Sequence, residues 1–473
     1  MSSNEKNISD SRNIAAVARA HQIAGKLTEA RSAYQAALDL FLSMRNPSSI
    51  QLPEVTHDAA DVCVNLAFLE AELGNYDDAL RYVDLASTIS QESLDITPHR
   101  ARIEFLAARS TNPNTRSEIA GMETTVAAIE TELERDPLYT PSQFWKFYRD
   151  YHLGLLRRYG IENLKRTVSH NYQHWLIHSI QDPQFLTMLE KWPEHASPEP
   201  LLNEIEKPSH VGFHLSLDFT RPEYVLANRE AREVYRLAVG LIWEYVLAND
   251  SFGVLNQLEE LEVGNPIRIS RRGRRISSDL AHSVRERNML LESCALRGDE
   301  RLCVAEIGAG HGRLAEVFGR TTNYQYFIFD IAPALYVSQW YIRNAFPNER
   351  IFFFRPFSSF GQIAEELSAA RFAFFTANQI RYLPDKFVDL FINMNSLMEM
   401  RRDQIDHFLG QIDRVTRRAF LSRQWIEWRN ESDGVTISKD DFRMGADWRL
   451  MLDKRDDIHP AFFNHIWQRC DRT

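Results

Sequence analysis

The stretch that decides the fold runs from Arg301 to Asp330 and reads RLCVAEIGAGHGRLAEVFGRTTNYQYFIFD. Its apolar run from Leu302 to Ile307 has the length and the β-branched content of a buried parallel strand. Alternating glycines follow at once, and the apolar residues after them recur at helical spacing. The stretch therefore predicts a strand, a glycine turn, a helix and a second buried strand that ends at Asp330.

The glycines of the predicted turn are Gly308, Gly310 and Gly312. Because they lack side chains, a ligand can lie against the backbone and against the N-terminus of the following helix. Asp330 comes 20 residues after Gly310, about where a doubly wound sheet presents an acid to a ribose. The pattern predicts a cofactor that contains adenosine.

The spacing of the glycines distinguishes between cofactors. A dinucleotide-binding loop has glycines at its first, third and sixth positions, but the sixth position here is Arg313. Glu306, two residues before the first glycine, would repel a phosphate, yet it suits a ligand with an ammonium group and a sulfonium. The segment Glu306 to Gly312 resembles motif I of the class I S-adenosylmethionine-dependent methyltransferases, which implies that Asp330 holds the ribose hydroxyls. The alternative is a glycine turn with a merely structural acid.

Length and composition limit the class of protein. With 473 residues, the chain is too long for one ordinary core, so we expect two or three domains. A net charge of -10 argues against a nucleic-acid partner. No signal peptide and no membrane-spanning run of about 18 apolar residues is found in the sequence. The four scattered cysteines have no metal-ligand spacing, which predicts reduced, buried thiols in a cytoplasmic protein.

The N-terminal part contains an internal repeat. We expect residues 1–12 to be disordered and residues 13–135 to form helical repeats, because small and apolar residues recur at an offset of 49 positions. The pattern resembles tetratricopeptide repeats, whose usual period is 34. The resemblance implies a docking surface for a protein partner or for self-association; a helical spacer is the alternative.

Two further regions follow the repeats. Residues 136–262 are rich in aromatic and amphipathic helical patterns, and we interpret them as a helical cap or lid, although such patterns are also typical of ordinary core. Residues 263–473 are predicted to form a Rossmann-like, doubly wound α/β domain. Its start contains five arginines from Arg268 to Arg275. They would either bind an acidic or phosphorylated substrate or form a solvated loop before a helix.

A narrower resemblance covers about residues 144–473. The segments FWKFYRDY, LKRTVSHNYQHW, VGNP, ISSDLAHS, FDIAPALYVSQWYI and INMNSLMEM resemble the sugar O-methyltransferase family of bacterial polysaccharide and natural-product gene clusters. The resemblance implies methyl transfer to a sugar hydroxyl in a polysaccharide, a glycolipid or a nucleotide-sugar. Two alternatives stay open: an acceptor protein or small molecule recruited by the repeats, and a scaffold that has lost its chemistry.

The resemblance also implies further residues of the cofactor site. Gln379 lies at the turn expected to meet the adenine. Ile331 and Asn395 are further predicted cofactor-binding residues, in addition to Glu306, the three glycines and Asp330. The tryptophans of the C-terminal region favour a carbohydrate pocket, although ordinary core is their commoner role. These tryptophans are Trp425, Trp428, Trp448 and Trp467.

Methyl transfer to a sugar hydroxyl requires a base or a metal ion, because such a hydroxyl is a poor nucleophile at neutral pH. Glu399, Asp403 and His407 recur at four-residue intervals and are predicted to share a helix face. Glu399 is the first candidate for the base or a metal ligand, His407 the second, and His311 of the glycine turn the third. Each could instead cap the helix or face solvent. A divalent ion is allowed by this set but not indicated, because helical spacing alone is no metal motif.

Overall fold

The computed structural model describes residues 3–23, 26–44, 53–90, 96–168, 177, 180–191, 205–206 and 229–470. The chain divides into two compact units. The first contains residues 1–115, 175–179 and 208–235, and the second contains residues 116–174, 180–207 and 236–473.

The first unit is helical in its described residues. Its helices are α1 (Ser3–Ile23), α2 (Leu27–Ser43), α3 (Pro53–Glu72), α4 (Tyr76–Ser90) and α5 (Thr97–Thr111). The internal repeat corresponds to the helix pairs α1/α2 and α3/α4. Equivalent small and apolar positions of the two pairs are fully buried: Ala18 and Ala67, Ala30 and Ala79, Tyr34 and Val83, Ala37 and Ala86. Small side chains at these positions allow the helices to pack closely.

Helix α1 begins earlier than the sequence predicts. The prediction of disorder over residues 1–12 is wrong for residues 3–12, which belong to the helix. Ser11 is fully buried, and Arg12 Nε lies 2.7 Å from Asp58 Oδ2 on α3. These contacts join positions far apart in the sequence, so the local composition does not reveal them.

The second unit carries the α/β part of the chain, and α6 (Pro113–Leu133) leads into it. Its further helices are α7 (Gln143–Tyr159), α8 (Pro183–Glu190), α9 (Arg229–Ala248), α10 (Ser278–Ser293), α11 (Arg313–Thr321), α12 (Ala334–Ala345), α13 (Ala364–Ala369) and α14 (Arg402–Val415). Its strands are β1 (Ile205–Glu206), β2 (Ile269–Arg271), β3 (Arg274–Ile276), β4 (Cys303–Ile307), β5 (Gln325–Asp330), β6 (Ile351–Phe352), β7 (Phe372–Thr376), β8 (Val388–Met394), β9 (Thr416–Trp425), β10 (Glu427–Asn430), β11 (Val435–Ser438), β12 (Trp448–Arg455) and β13 (Phe462–Arg469).

An eight-stranded sheet organises this unit, with the order β12-β13-β9-β8-β4-β5-β7-β6. The strands from β9 to β6 are parallel, whereas β13 is antiparallel to both β9 and β12. Every residue of β4, β7 and β8 is buried, as expected for parallel strands covered on both faces. The predicted α/β class, with helical regions ahead of a Rossmann-like sheet, is confirmed.

The arginine cluster forms a β-hairpin rather than a solvated loop. Strands β2 and β3 pair directly, with positive φ at Arg272 and Gly273 in the turn. Arginines of the cluster contact nearby acids or carbonyls. The pairs are Arg268 with Glu262, Arg271 with Glu244, Arg274 with the Asn256 carbonyl, and Arg275 with Glu259. Helix α10 begins after the hairpin at Ser277, whose Oγ accepts a hydrogen bond from Leu280 N.

Two expectations from composition can be compared with the described residues. None of their helices is long and apolar enough to cross a membrane. All four cysteines are free, and Cys63 and Cys303 are buried as expected. Cys294 is partly exposed and Cys470 is exposed, so the prediction of buried thiols is wrong for these two. Both lie at the end of a secondary-structure element, where less of the chain covers them.

Candidate functional site

The strand order changes direction at the centre of the sheet. From β4 the chain proceeds to β5 on one side, and it returns to β8 on the other side. In open α/β sheets, ligands bind in the crevice at the carboxyl ends of the strands beside such a switch point. Here those ends are Ile307, Asp330 and Met394. The predicted glycine turn and Asp330 therefore lie at the expected crevice.

The glycine turn has the backbone conformation that favours glycine. Gly308, Gly310 and Gly312 have φ values of 74°, 61° and 90°. A β-carbon at Gly308 would clash with Ser396 Oγ, so the turn lies directly against the segment after β8. The Gly308 amide also donates to the Phe329 carbonyl at 2.8 Å, which holds the turn against β5. The turn is thus fixed on both of its flanks.

The Asp330 carboxylate lies against this turn. Its Oδ2 accepts a hydrogen bond from Gly310 N at 3.1 Å, and its Oδ1 accepts one from Ile331 N at 2.8 Å. Burial raises the pKa of Asp330 to about 7, although the backbone amides oppose the shift. Ile331 contributes through its backbone. A buried carboxylate that titrates near neutrality fits a binding role, because a ligand hydroxyl could donate to it.

Glu306 has a partner on the neighbouring strand. The carboxylate is buried, and Oε2 accepts a hydrogen bond from the Tyr326 hydroxyl at 2.8 Å. Burial raises the pKa of Glu306 to about 8. The acid before the first glycine is therefore held within the sheet by a hydrogen bond from the neighbouring strand β5.

The two amide side chains predicted for the cofactor site differ in their surroundings. Gln379 is fully buried: Oε1 accepts from Thr376 N and Nε2 donates to the Arg355 carbonyl, both at 3.0 Å. It therefore shapes the turn after β7. Asn395 has a φ of 63°, and its buried Oδ1 accepts no hydrogen bond from any described residue. Such an acceptor at the edge of the crevice needs a donor from elsewhere.

Glu399 is not on the helix predicted for it. It ends a 3-10 turn, and α14 begins three residues later, at Arg402. The prediction that Glu399, Asp403 and His407 share one helix face is therefore wrong. The Arg401 amide donates to Gln404 Oε1 at 3.1 Å, which satisfies a backbone donor at the start of the helix and leaves Glu399 outside it.

The position of Glu399 is decided by α7. Its Oε2 accepts a hydrogen bond from Trp145 Nε1 at 3.1 Å, and its carbonyl accepts one from Ser142 Oγ at 3.0 Å. Burial raises the pKa of Glu399 to about 8, and the charge of Asp330 adds to the shift. The proposed base and the acid at the glycine turn are thus close enough to interact electrostatically.

His407 lies on α14 and contacts the segment that precedes α7. Its Nε2 is 2.8 Å from the Tyr139 hydroxyl, and burial lowers its pKa. The same helix binds the segment before α7, because Gln404 Nε2 donates to the Leu138 carbonyl at 2.8 Å. Asp403 pairs with Arg401 at 3.1 Å on the exposed side. The segment from Pro137 to Pro141 is therefore attached to α14, and His407 contributes to the attachment.

His311 is buried within the glycine turn and packs edge-on against Tyr341, with 5.2 Å between ring centroids. The ammonium group of Lys165 lies 4.7 Å above the same Tyr341 ring, and it pairs with the buried Glu260. No periodicity in the LKRTVSHNYQHW segment indicates that Lys165 lies beside this turn.

A buried ion pair explains why the sixth position of the turn is not glycine. Arg313 Nη1 lies 2.6 Å from Glu286 Oε2 on α10, and it donates to Ser283 Oγ at 2.6 Å. Both members of the pair are almost fully buried. The side chain thus joins the first turn of α11 to α10. Ser283 ends the DLAHS segment near the start of α10, and Glu286 follows three residues later.

Aromatic side chains form a continuous series beside Glu399. From Trp145 the series passes through Phe144, Trp428 and Trp425 to Phe462, with successive centroid distances of 5.8, 6.3, 5.5 and 4.7 Å. Trp448 and Trp467 lie elsewhere, Trp448 bonded to Asp413 and Trp467 beside His465. Of the four C-terminal tryptophans, only Trp425 and Trp428 belong to this series.

No group of three potential ligands among the described residues is placed to hold a metal ion. The site is therefore a set of buried carboxylates, a glycine turn and an aromatic series at one edge of the sheet.

Comparison with known proteins gives structural likeness only. No protein-family model matches the chain, and no curated protein matches it. A SAM-dependent methyltransferase from Aquifex aeolicus is 12% identical and covers 39% of this chain and 89% of its own, with a TM-score of 0.25. The magnesium protoporphyrin IX methyltransferase from Synechocystis PCC 6803 with bound SAM is 12% identical and covers 40% of this chain and 82% of its own, with a TM-score of 0.27. The 1,6-didemethyltoxoflavin-N1-methyltransferase from Burkholderia thailandensis is 15% identical and covers 41% of this chain and 80% of its own, with a TM-score of 0.28.

Proposed function

We propose that this protein is an S-adenosylmethionine-dependent O-methyltransferase that transfers a methyl group to a sugar hydroxyl. The observation that carries the proposal is the glycine turn at the switch point of the sheet, with Asp330 bound to Gly310 N on one side. Glu399 lies close enough to Asp330 for their charges to interact. A nucleoside-binding acid and a candidate base thus share one crevice.

The residues of the crevice fit this cofactor. Asp330 would accept from the ribose hydroxyls, since each of its oxygens already accepts one backbone hydrogen bond and retains further lone pairs. The orphan Oδ1 of Asn395 offers an acceptor for the cofactor's ammonium group. Burial favours the neutral form of Glu306, and a cationic ligand bound nearby would favour its ionised form. Gly308 and its neighbours would let the ligand approach the backbone.

S-adenosylmethionine supplies an activated methyl group when it is bound. Glu399 accepts the proton of the acceptor hydroxyl at Oε1, because Trp145 already occupies Oε2. A carboxylate whose pKa lies near 8 is a stronger base than an exposed glutamate, and burial is the cause of that shift. His407 and His311 are second choices, because their rings lie against Tyr139 and Tyr341.

The acceptor class rests on the resemblance to sugar O-methyltransferases and on the aromatic series beside Glu399. Aromatic faces pack well against the apolar faces of sugar rings. We further propose that residues 136–262 form a cap that contributes Trp145, that residues 13–135 dock a partner as tetratricopeptide-like repeats do, and that the protein acts in the cytoplasm. A protein or small-molecule acceptor would be the outcome if no sugar is methylated.

Calorimetric titration with S-adenosylmethionine tests the proposal. The wild-type protein should bind the cofactor, and Asp330→Ala should weaken binding by about tenfold or more, because a buried hydrogen bond to a charged group is lost. Asp440→Ala removes an exposed aspartate elsewhere and should leave binding unchanged. Absence of binding by the wild type would overturn the methyltransferase assignment and favour a scaffold. Binding followed by methylation of a nucleotide-sugar or a lipid-linked glycan would support the acceptor class.

A further inference from the structure

Two buried polar side chains lie side by side at the carboxyl edge of the sheet. Arg423 on β9 and Asn464 on β13 are cross-strand partners in the antiparallel register. Both are bound to one oxygen of Asp456: Arg423 Nε donates to Oδ2 at 3.0 Å, and Asn464 Nδ2 donates to it at 3.1 Å. Arg423 is 1% exposed and Asn464 is 0% exposed. The shared carboxylate therefore fixes the orientation of both side chains.

Each of these side chains keeps one polar atom without a partner. Arg423 Nη2 donates no hydrogen bond, and Asn464 Oδ1 accepts none, within the part of the chain that the structure describes. The amide of Asn464 cannot be reversed without placing its oxygen against the Asp456 carboxylate. The two orphan atoms also do not bond to each other. One donor and one acceptor thus remain unpartnered on two side chains that share one Asp456 oxygen, and a buried polar atom without a partner of either kind is costly.

This pair adjoins the site already described. In the parallel register, Arg423 is the partner of Met394, the last residue of β8, and its carbonyl accepts from Asn395 N at 2.7 Å. The next residues of β9 contact the turn that contains Glu399, because Met398 N donates to Gln424 Oε1 at 3.3 Å. The Arg423 guanidinium lies 4.2 Å above Phe462, where the aromatic series from Trp145 ends.

We propose that Arg423 and Asn464 bind a hydroxyl group of the acceptor sugar, other than the hydroxyl that is methylated. A hydroxyl oxygen can accept from Arg423 Nη2 while its proton is donated to Asn464 Oδ1, so one group satisfies both orphan atoms. The sugar ring would pack against the aromatic series, between the Arg423–Asn464 pair and Glu399. The inference rests on the proposed function, because it names the subsite that orients the acceptor.

Charge favours a neutral hydroxyl over a carboxylate or a phosphate at this position. Arg423 is paired with Asp456 at 3.0 Å. The neighbouring guanidinium of Arg285 lies 3.0 Å from Asp456 and 3.5 Å from Asp457. Asp456 thus partly neutralises the guanidinium of Arg423 before any ligand binds, which weakens its attraction for an anion.

Saturation-transfer NMR tests the subsite. The probes are D-glucose, D-galactose and D-mannose, each added to the protein saturated with S-adenosylhomocysteine. The wild type should transfer saturation to the ring protons of at least one hexose. Arg423→Lys keeps the charge beside Asp456 but removes Nη2, and it should weaken hexose binding by about tenfold or more. Asn464→Leu removes the acceptor and should have the same effect.

Arg285→Lys is the matched control, because it makes the same change on the other guanidinium that binds Asp456. It should retain hexose binding. Equal losses in Arg423→Lys and Arg285→Lys would overturn the subsite, since a loosened Asp456 would then explain both. Absence of transfer to every hexose in wild-type protein that binds S-adenosylhomocysteine would also overturn it, while the methyltransferase assignment would stand. Failure to bind S-adenosylhomocysteine would instead refute the proposed function, and the subsite with it.

Discussion

Replacing Glu399 by glutamine should change the pH dependence of stability by an amount that follows from the structure. Burial raises the pKa of Glu399 from 4.5 to about 8. Between these values the folded protein keeps a proton that the unfolded chain releases, so the free energy of unfolding falls as pH rises. The stabilisation from this proton is fully present below pH 4.5. It decreases by about 1.4 kcal/mol per pH unit up to about pH 8. Glutamine has no such proton, and Glu399→Gln should lack this slope.

Urea unfolding followed by tryptophan fluorescence between pH 5 and about 9 measures the difference. The variant should become more stable relative to the wild type as pH rises, by at most about 4 kcal/mol between pH 5 and about 9, because Glu399 is only partly buried. The isosteric amide oxygen can still accept from Trp145, so the fold should be kept. Glu427→Gln changes an exposed glutamate and serves as the control, with a profile parallel to the wild type. Parallel profiles for Glu399→Gln and the wild type would refute the assignment of a partly buried, proton-retaining carboxyl.

Three further predictions concern the glycine turn and its support. Because the pKa of Asp330 is raised to about 7, affinity for S-adenosylmethionine should rise with pH through about 7; Asp330→Asn should remove this dependence, and calorimetry showing equal slopes would contradict it. Gly308→Ala places a side chain at φ 74° against Ser396, which should cost about 1–3 kcal/mol of stability and weaken cofactor binding, whereas unchanged unfolding and affinity would count against a rigid turn. Arg313→Met leaves Glu286 buried and unpaired and should cost about 3–5 kcal/mol. Adding Glu286→Gln should recover part of that loss in a double-mutant unfolding cycle, and strict additivity would show that the pair is not coupled.

The sequence alone was sufficient where the signal is local and periodic. A run of apolar residues followed by alternating glycines predicted β4 and the turn, because glycine is the residue that adopts positive φ without strain. The distance from Gly310 to Asp330 predicted the end of β5, since one helix and one strand fill that length.

Local signals were misleading where a contact distant in sequence decides the structure. Four-residue spacing predicted a helix that includes Glu399, but Glu399 binds Trp145, 254 residues away, and the helix begins only at Arg402. The polar composition of residues 3–12 predicted disorder, but a pair with α3 accompanies a helix there. In each case tertiary partners override the intrinsic preference of the segment.

The sequence by itself determined the class of fold, the glycine turn and the acid at the end of the second strand of the large sheet, because spacing along one strand–helix–strand unit is a local property. Only the tertiary structure decided what surrounds the crevice. The hydrogen bond from Trp145 to Glu399 joins positions 254 residues apart. The partnership of Arg423, Asn464 and Asp456 depends on an antiparallel register at the end of the chain. Such pairs follow from how strands and helices meet, and no periodicity in the sequence encodes them.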